Sequence, residues 1–287
     1  MHFFLTAAYS QTKASRTPVI GQFFGIWLNP GQTWEQKLRV DTPFASCNRL
    51  YIAFGKIIQV NGHFSIAFDG STKHATDLID RMRAVHPNAD IFITVGGDNK
   101  LSSYGGAAND TEFAQHVLAF LLKYQLNGFD IDWENNLDKK NLNHLVRQLY
   151  EVLHASHHQL TLDVWPFPDS AYDMPILKNN VDQINIMSYG AGTSLRACVE
   201  SYERAGFPTF KMIGGIETET GYPGGTDTLG LSGTITQKAT DALSHGLAGM
   251  MEWRLDNDYA TAANPNYPTY QGALQLWESM IDSVNTF

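Results

Sequence analysis

The sequence is poor in cysteine and carries no basic cluster. Its 287 residues include two cysteines, Cys47 and Cys198, which lie far apart without a CxxC motif or a neighbouring pair of histidines. They predict neither a disulfide framework nor a zinc site and favour two buried free thiols. Lysine and arginine number 20 against 29 acidic residues, giving a formal net charge of −9, and the longest basic run is Lys139-Lys140. We therefore expect no nucleic-acid partner.

Long apolar runs are absent as well. No stretch approaches the roughly 18 consecutive apolar residues that a membrane-spanning helix requires, so we expect no membrane partner. The first eight residues are briefly apolar, but they lack a cationic start and are at the lower limit of length for the core of a secretion signal. Extracellular secretion is the predicted location, although no clear signal peptide supports it.

Aromatic residues, in contrast, are plentiful, and strand-like runs recur. Aromatics make up 12% of the chain, which suits a site that stacks on flat, uncharged faces such as sugar rings. Short apolar runs bounded by turn residues predict eight strands. These runs cover residues 19–27, 50–54, 91–95, 128–133, 160–165, 181–189, 212–216 and 248–253.

Helical periodicity fills several intervals between these runs. Apolar residues recur on one helical face from Phe113 to Tyr124, from Leu142 to Leu153 and from Ala273 to Val284. Eight strands separated by helices predict an α/β fold of the (β/α)8 TIM-barrel type, in which catalytic groups lie at the C-terminal strand ends. A doubly wound open sheet is the alternative, but no strand is followed by a GxGxxG or GxxxxGK(S/T) motif.

The chain shows no internal repeat and no Pro/Gly-rich linker. We therefore predict an N-terminal extension over residues 1–17 and a single barrel over residues 18–287. The glycine-rich stretch from Gly214 to Gly233 is predicted to form one long loop after the seventh strand, either as a cleft wall or as a plain surface loop.

Three carboxylates share one face of the fourth predicted strand. Asp130, Asp132 and Glu134 stand at i, i+2 and i+4, while the apolar residues between them face the helices. Acids inside a barrel are costly unless they are protonated or hydrogen-bonded. Glu134 is nearest the C-terminal rim and is the predicted general acid. A solvated acidic strand end or a set of metal ligands is the alternative interpretation.

The segment from Gly128 to Glu134 resembles the D-G-x-D-x-D-x-E signature of the glycoside hydrolase family 18 chitinases. Three more segments are similar to motifs of that family. They are Phe92 to Gly97, similar to its S-x-G-G third strand, Gln183 to Tyr189, similar to its M-x-Y sixth strand, and Gly249 to Trp253, similar to its eighth-strand tryptophan. The resemblance covers nearly the whole chain. About 30 residues separate strands seven and eight, so we expect an open cleft without the α+β insertion domain of many chitinases.

The resemblance implies a retaining, substrate-assisted mechanism. In this mechanism Glu134 protonates the glycosidic oxygen, and Asp132 orients the N-acetyl group of the substrate, whose carbonyl oxygen is the nucleophile. Tyr189 donates its hydroxyl to that carbonyl oxygen, and Asp130 shares a proton or hydrogen bond with Asp132. Trp253 forms the floor of the sugar subsite at the cleavage point.

Further residues are predicted to bind substrate because they end a barrel strand or belong to a matched motif. They are Trp27, Phe54, Gly97, Trp165, Gln183, Met187 and Glu217. For the two tryptophans and the phenylalanine, core packing is an open alternative.

Three positions depart from the family pattern. They are Asn127 in place of the first aspartate, Val95 in place of the strand-three serine, and Gly190 in place of the aspartate that follows the tyrosine in many members. Asparagine can keep the hydrogen bonds without the charge. Thr94 is the candidate to replace the serine beside Asp130, and Glu217 or Glu219 is the candidate to replace the lost carboxylate.

Three functions remain open at the level of sequence. The first is an endo-acting, chitinase-like hydrolase of chitin or chitooligosaccharides, the second an endo-β-N-acetylglucosaminidase of N-glycans, and the third a lectin without catalysis. Because Glu134, Asp132 and Tyr189 are intact, an enzyme is favoured. We expect a monomer with no cofactor and no metal. The residues His154, His157 and His158 have a metal-compatible spacing, but a helix C-terminus alone favours histidine.

Overall fold

The computed structural model describes residues 17–97, 103–219, 224–258 and 269–281. The described strands are β1 Val19–Gly25, β2 Arg49–Val60, β3 His63–Phe68, β4 Asp90–Gly96, β5 Gly128–Asp132, β6 Gln159–Val164, β7 Gln183–Ile186, β8 Met212–Glu217 and β9 Gly249–Trp253. The described helices are α1 Trp34–Lys37, α2 Thr72–Val85, α3 Tyr104–Ala107, α4 Phe113–Tyr124, α5 Lys139–Ala155, α6 Met174–Asn180, α7 Leu195–Arg204, α8 Thr234–Ser244 and α9 Gln271–Ile281. Three 3-10 turns cover Phe44–Ser46, Thr209–Lys211 and Leu255–Asn257.

The strands form one sheet that closes on itself. Its order is β1-β9-β8-β7-β6-β5-β4-β2-β3, and β1 also pairs with β2. All pairings are parallel except that of β2 with β3. Eight parallel strands therefore make a closed barrel, which confirms the predicted (β/α)8 fold. Each predicted strand overlaps one barrel strand, and the three predicted helices correspond to α4, α5 and α9. Val284 lies outside the described residues.

β3 is additional to the eight predicted strands and forms an antiparallel hairpin with the C-terminal half of β2. Asn61 and Gly62 have φ values of 52° and 89°, as a two-residue type I′ turn requires. The Phe64 ring lies over Gly106 of α3, where a Cβ atom would be 2.4 Å from the ring. The backbone N–H of Phe64 also donates to Asp110. The hairpin thus extends beyond the C-terminal rim and is fastened beside α3.

Two apolar clusters make up the core. The larger one lies between the sheet and the helices, where, for example, α5 buries the face predicted from its periodicity. The smaller one fills the inside of the barrel. Its members are Phe23, Tyr51, Ala53, Phe54, Phe92, Met187, Ile213 and Met251. Because the interior is already filled with side chains, a substrate has access only to the rim of the barrel.

Between β8 and β9 the described residues contain α8 and no other helix or strand. This agrees with the expected absence of an insertion domain. Gly214 and Gly215 belong to β8, however, so the predicted loop begins only after Glu217, and residues 220–223 of it lie outside the described part. Both cysteines are buried and free, as predicted.

Among the described helices, none combines the length and hydropathy needed to cross a membrane.

Candidate active site

The three acids of the signature lie at increasing height on β5. Asp130 is fully buried inside the barrel, Asp132 is 5% exposed at the end of the strand, and Glu134 is half-buried two residues beyond it. Parallel strands all end at the same side of a barrel, so this column leads from the core to the C-terminal rim. Glu134 is thus placed where a bound substrate could reach it.

Asp130 is held by hydroxyl and amide donors from the neighbouring strands. Thr94 Oγ1 donates to its Oδ2 (2.8 Å), and Thr161 Oγ1 and Asn185 Nδ2 donate to its Oδ1 (2.5 and 3.1 Å). Burial raises the pKa of Asp130 to about 6, although these hydrogen bonds to the charged form act in the opposite direction. Thr94 therefore supplies the hydrogen bond for which the family uses serine, and the departure at Val95 leaves no gap.

A fourth carboxyl, not predicted from the sequence, adjoins this column. Asp163 on β6 is 4% exposed and accepts a hydrogen bond from Asn185 Nδ2 (2.8 Å), the same nitrogen that donates to Asp130. Burial and the charges of Asp130 and Asp132 raise the pKa of Asp163 well above its ordinary value. Its position two residues after Thr161, an inward-facing residue, is the sequence signal that could have revealed it.

The glycine pair at the end of β4 lets that strand approach Asp132 closely. Gly96 has φ of 125°, and a Cβ atom there would be 1.7 Å from the carbonyl oxygen of Asp132. The N–H of Gly97 donates to the same oxygen (3.0 Å). Gly97 has φ of 99°, and its missing Cβ would be 3.1 Å from the Phe54 ring. The two glycines thus fix the position of the Asp132 backbone. Any substrate contact at Gly97 would have to come from its backbone, since it has no side chain.

Tyr189 follows β7, half-buried, with its ring over the α-carbon of Gly215, where a Cβ atom would be 2.7 Å away. Burial, together with the nearby acids, raises the pKa of Tyr189 well above its ordinary value, so the phenol keeps its proton at neutral pH. A protonated phenol can donate a hydrogen bond into the cleft, as its expected role requires.

Gly190 leaves no room for the aspartate that follows the tyrosine in many family members. Its φ is 81°, and a Cβ atom would lie 2.7 Å from the carbonyl oxygen of Gly224. The buried ion pair of Lys238 with Asp227 (2.7 Å) fixes this arrangement. Asp227 accepts a hydrogen bond from the N–H of Gly190 (3.2 Å), and Lys238 donates one to the carbonyl oxygen of Gly190 (3.0 Å). Loop backbone thus takes the place of a side chain.

Aromatic rings form a shelf at one side of the rim. Trp27 stacks on Phe54 (centroids 5.7 Å apart), and Phe54 stacks on Trp253 (5.6 Å). Trp253 is half-buried and keeps part of its indole exposed. Trp27 is half-buried as well, but besides Phe54 the cations of Lys37 and Arg254 lie over its ring, each 4.6 Å from the ring centroid. Trp27 and the 8% exposed Phe54 therefore act as packing. The Ala53–Phe54 and Trp253–Arg254 peptide bonds are cis.

Neither candidate for the lost carboxylate takes that place. Glu217 is buried, burial raises its pKa to about 9, and it accepts the N–H of Glu219 (2.6 Å), so it is neutral at pH 7. Glu219 instead accepts the indole N–H of Trp253 (2.9 Å) and pairs with Arg254 (3.0 Å). The prediction for Glu217 is corrected because burial removes its charge. The prediction for Glu219 is corrected because its carboxylate binds Trp253 and Arg254 of the aromatic shelf.

One other predicted substrate contact lies too deep. Gln183 is the first residue of β7, at its N-terminal end, and bonds to Arg49, Tyr51 and Asn185. It supports the site from below, which corrects the expectation of direct sugar contact. Met187 follows the C-terminal end of β7 and is 9% exposed, more than Asp132, so its sugar contact stays a prediction.

Trp165 lies just past the C-terminal end of β6 and is half-buried against both apolar clusters. Phe167, two residues later, is 55% exposed beside it and was not among the predicted residues. Asn127 at the entrance of β5 accepts a hydrogen bond from the N–H of Ile91 through its side-chain oxygen (3.0 Å), as expected for an uncharged replacement of aspartate.

In the described ranges, no group of three or more His, Cys, Asp or Glu side chains is arranged to hold a metal ion.

The arrangement suits acid-catalysed chemistry on a flat, uncharged ring. A half-buried carboxyl stands at the rim above buried acids, a protonated phenol lies nearby, and a half-buried indole packs on the inner cluster at the same rim. Such a site can protonate a leaving group and stabilise positive charge that develops next to Asp132.

Comparison with known proteins finds related sequences and folds. A family model described as Glycosyl hydrolases family 18 matches residues 23–210. A relative described as Probable chitinase 2 of Drosophila melanogaster is 27% identical over 123 residues, 38% of this chain and 25% of that protein. The match therefore spans only a quarter of that relative's length.

Solved structures share the fold. A class V chitinase from Nicotiana tobaccum, in complex with NAG4, has a TM-score of 0.72 and 16% identity, covering 92% of this chain and 99% of that one. A family 18 chitinase from Flavobacterium johnsoniae has a TM-score of 0.72 and 20% identity, covering 94% and 96%. At such identities the likeness concerns the fold.

Proposed function

Since this chain belongs to family 18 of the glycosyl hydrolases, by the match over residues 23–210, we propose that it is a retaining, endo-acting hydrolase of chitin and chitooligosaccharides. The observation that carries the proposal is the column of acids that rises along β5 through Asp130 and Asp132 to the half-buried Glu134. Tyr189 lies within electrostatic reach of Asp132 and Glu134, and Tyr189 and Trp253 both pack against the inner cluster.

In the first step Glu134 gives its proton to the glycosidic oxygen and the bond to the anomeric carbon breaks. The carbonyl oxygen of the substrate's own N-acetyl group attacks that carbon, which gives an oxazolinium ion and releases the leaving sugar. Asp132 accepts the acetamido N–H and opposes the positive charge, while Tyr189 donates to the acetamido oxygen. Family membership supports this route, because family 18 is a substrate-assisted exception among glycosidases.

In the second step water attacks the anomeric carbon from the face that the leaving group has vacated. Glu134, now ionised, takes the proton of that water and returns to its starting state. The bond from the acetamido oxygen breaks, and the N-acetyl group is restored. Two successive inversions at one carbon give net retention of the β configuration.

Chitin is the favoured substrate because related folds bind its fragments. The Nicotiana chitinase is described in complex with NAG4, and a Cycas revoluta family 18 chitinase with (GlcNAc)4. The half-buried Trp253 offers a partly exposed indole on which such chains can stack. The second candidate, cleavage of the chitobiose core of N-glycans, is favoured by one observation. The backbone at Gly224 fills the space of the aspartate that many chitinases carry after the tyrosine.

Mass spectrometry of products tests the substrate directly. The protein is incubated separately with chitohexaose and with a high-mannose glycoprotein. Shorter chitooligosaccharides from the first substrate are the expected result. Cleavage of the glycoprotein alone would replace chitin by the N-glycan core, and binding of chitohexaose without any product would indicate a lectin.

A further inference from the structure

Asp163 is a buried carboxyl for which the mechanism above has no use. It faces the inside of the barrel from β6, where Leu162 pairs with Ile131, so Asp163 and Asp132 are next to one another at the following position of adjacent strands. A third buried acid beside Asp130 and Asp132 adds repulsion and a desolvation cost. A purely structural position would be served better by an apolar residue, so its presence requires an explanation.

The hydrogen bonds around Asp163 indicate how it is used. Asn185 Nδ2 has two hydrogens and donates to Asp130 Oδ1 (3.1 Å) and to Asp163 Oδ1 (2.8 Å). The side-chain oxygen of Asn185 accepts from Gln183 Nε2 (2.6 Å), which fixes the orientation of its amide. Oδ1 of Asp163 is therefore an acceptor, and the shared Asn185 amide holds the carboxyl groups of Asp163 and Asp130 side by side.

We propose that Asp163 is a positioning residue of the proposed hydrolase: a neutral carboxylic acid that donates a hydrogen bond to Asp130 and thereby keeps Asp130 charged. A fixed negative charge on Asp130, directly below Asp132, strengthens the attraction of this pair for the oxazolinium cation. The inference thus rests on the proposed function. It also assigns the extra buried carboxyl to β6 rather than to the position of Gly190 after β7, which loop backbone fills.

The electrostatic surroundings agree with this assignment. The hydrogen bond from Asp163 lowers the pKa of Asp130, while burial raises that of Asp163. Other ionisable groups around the two acids come from several elements. They are Asp132 on β5, Arg49 and Tyr51 on β2, Tyr104 on α3, Tyr172 before α6 and Tyr189 after β7. The tyrosines in this set all have raised pKa values and are uncharged at neutral pH, so they leave the proton on Asp163.

Two substitutions test whether Asp163 acts as a neutral hydrogen-bond donor or as an ionised group. In D163N the amide keeps an acceptor for Asn185 and a donor for Asp130, so kcat on chitohexaose should stay within about 3-fold of wild type. D163A removes the donor, and kcat should fall about 10-fold to 100-fold with KM nearly unchanged, while the acidic limb of the pH profile moves upward. D182N makes the same chemical change at the opposite end of the barrel, where Asp182 accepts the N–H of Leu160 (2.8 Å), and should behave as wild type.

An equal loss in D163N and D163A would overturn the proposal, since the site would then need an ionised or proton-transferring Asp163. Unchanged activity in D163A would overturn it as well.

Carbon-13 NMR of aspartate-labelled protein provides a readout that requires neither enzymatic activity nor a folded D163A variant. The resonance missing in D163N should have the chemical shift of a protonated acid at neutral pH, well above the ordinary aspartate pKa of about 4. Complete ionisation of that group by neutral pH would refute the neutral acid even in an active enzyme. An inactive wild-type protein with a protonated Asp163 would instead refute the proposed function alone.

Discussion

Asp130 shows how single hydrogen bonds set the charge of the site. Thr94, Thr161 and Asn185 all donate to its carboxylate, against a burial that raises the pKa to about 6. Each donor stabilises the ionised form, and a bond to a charged group contributes about 1.5 to 3 kcal/mol. The activity of the enzyme should therefore decline below about pH 6, where Asp130 takes up a proton.

Replacing Thr94 by valine removes one of these donors with little change in shape. We expect the pKa of Asp130 to rise, the acidic limb of the kcat/KM profile to move towards neutral pH, and kcat to fall about 10-fold at pH 6. The matched control is T76V on α2, where the hydroxyl of the half-buried Thr76 donates to the Lys73 carbonyl within its own helix. A pH profile of T94V that superimposes on wild type would show that Asp130 does not control the rate.

Part of this network could be predicted from single residues, and part could not. The alternation of β5 predicts that Asp130, Asp132 and Glu134 share a face, and the same alternation applied to β6 would have revealed Asp163 beside Thr161. The loss of charge on Glu217 has no such local signal, because it depends on burial by elements distant in the chain.

At the scale of elements, the end of β4 controls the position of β5. Gly96 has positive φ, and its α-carbon lies against the carbonyl of Asp132. A side chain here would clash with backbone, which cannot rotate away as a flexible side chain can. The sequence motif of two glycines is thus explained by a close approach of two strands at the site.

We expect G96A to lower the free energy of unfolding by more than about 2 kcal/mol and to reduce kcat about 100-fold by displacing Asp132. Denaturant titration and initial rates measure the two effects. G192A is the matched control, since a Cβ atom at Gly192 would meet nothing within 4 Å, and it should change stability by less than about 0.5 kcal/mol. Wild-type stability in G96A would contradict the close packing of β4 on β5.

Elements were predictable to different degrees. Long amphipathic helices such as α5 and buried strands such as β5 have strong periodic patterns. The Asn-Gly turn before β3 predicts a hairpin. The strand that leads into this turn, however, is the continuation of β2, which was already predicted over residues 50–54, so the signal is easily overlooked. The position of the Gly224 backbone against Gly190 depends on tertiary packing and has no local pattern.

At the scale of the whole molecule, buried acids couple stability to pH. Burial raises the pKa of Asp130 to about 6 and of Glu217 to about 9, and it also raises the pKa values of Asp163 and Glu252 well above their ordinary values. The folded state then holds protons that the unfolded state loses above about pH 4.5. This stabilisation is fully present below the unfolded pKa and is lost as pH rises through the folded pKa, so the protein should melt at a higher temperature at pH 5 than at pH 8.

The variant E217Q isolates one of these groups. Glutamine keeps the acceptor for the Glu219 N–H and cannot ionise, so the decline of about 1.4 kcal/mol per pH unit that Glu217 contributes should disappear. Thermal melts from pH 5 to pH 9 measure this slope, with E278Q on the exposed face of α9 as the control. Equal slopes in wild type and E217Q would mean that Glu217 is ionised in the folded protein.

The barrel as a whole was predictable because its strands and helices alternate regularly. The candidate site was predicted from the rule that barrel strands carry their active groups at the C-terminal end. The carboxyl network inside it was only partly predictable, because it depends on which strands become neighbours and in what register.

The central claim is that Glu134 at this rim hydrolyses β-linked N-acetylglucosamine chains. The most direct test compares product release from chitohexaose by wild type and E134Q, with calorimetric binding of chitohexaose to both. We predict that kcat falls about 10²-fold to 10⁴-fold in E134Q while Kd changes only a few-fold, because general acid catalysis contributes to the transition state and little to binding. Equal product formation by the two proteins, with binding intact, would contradict the account.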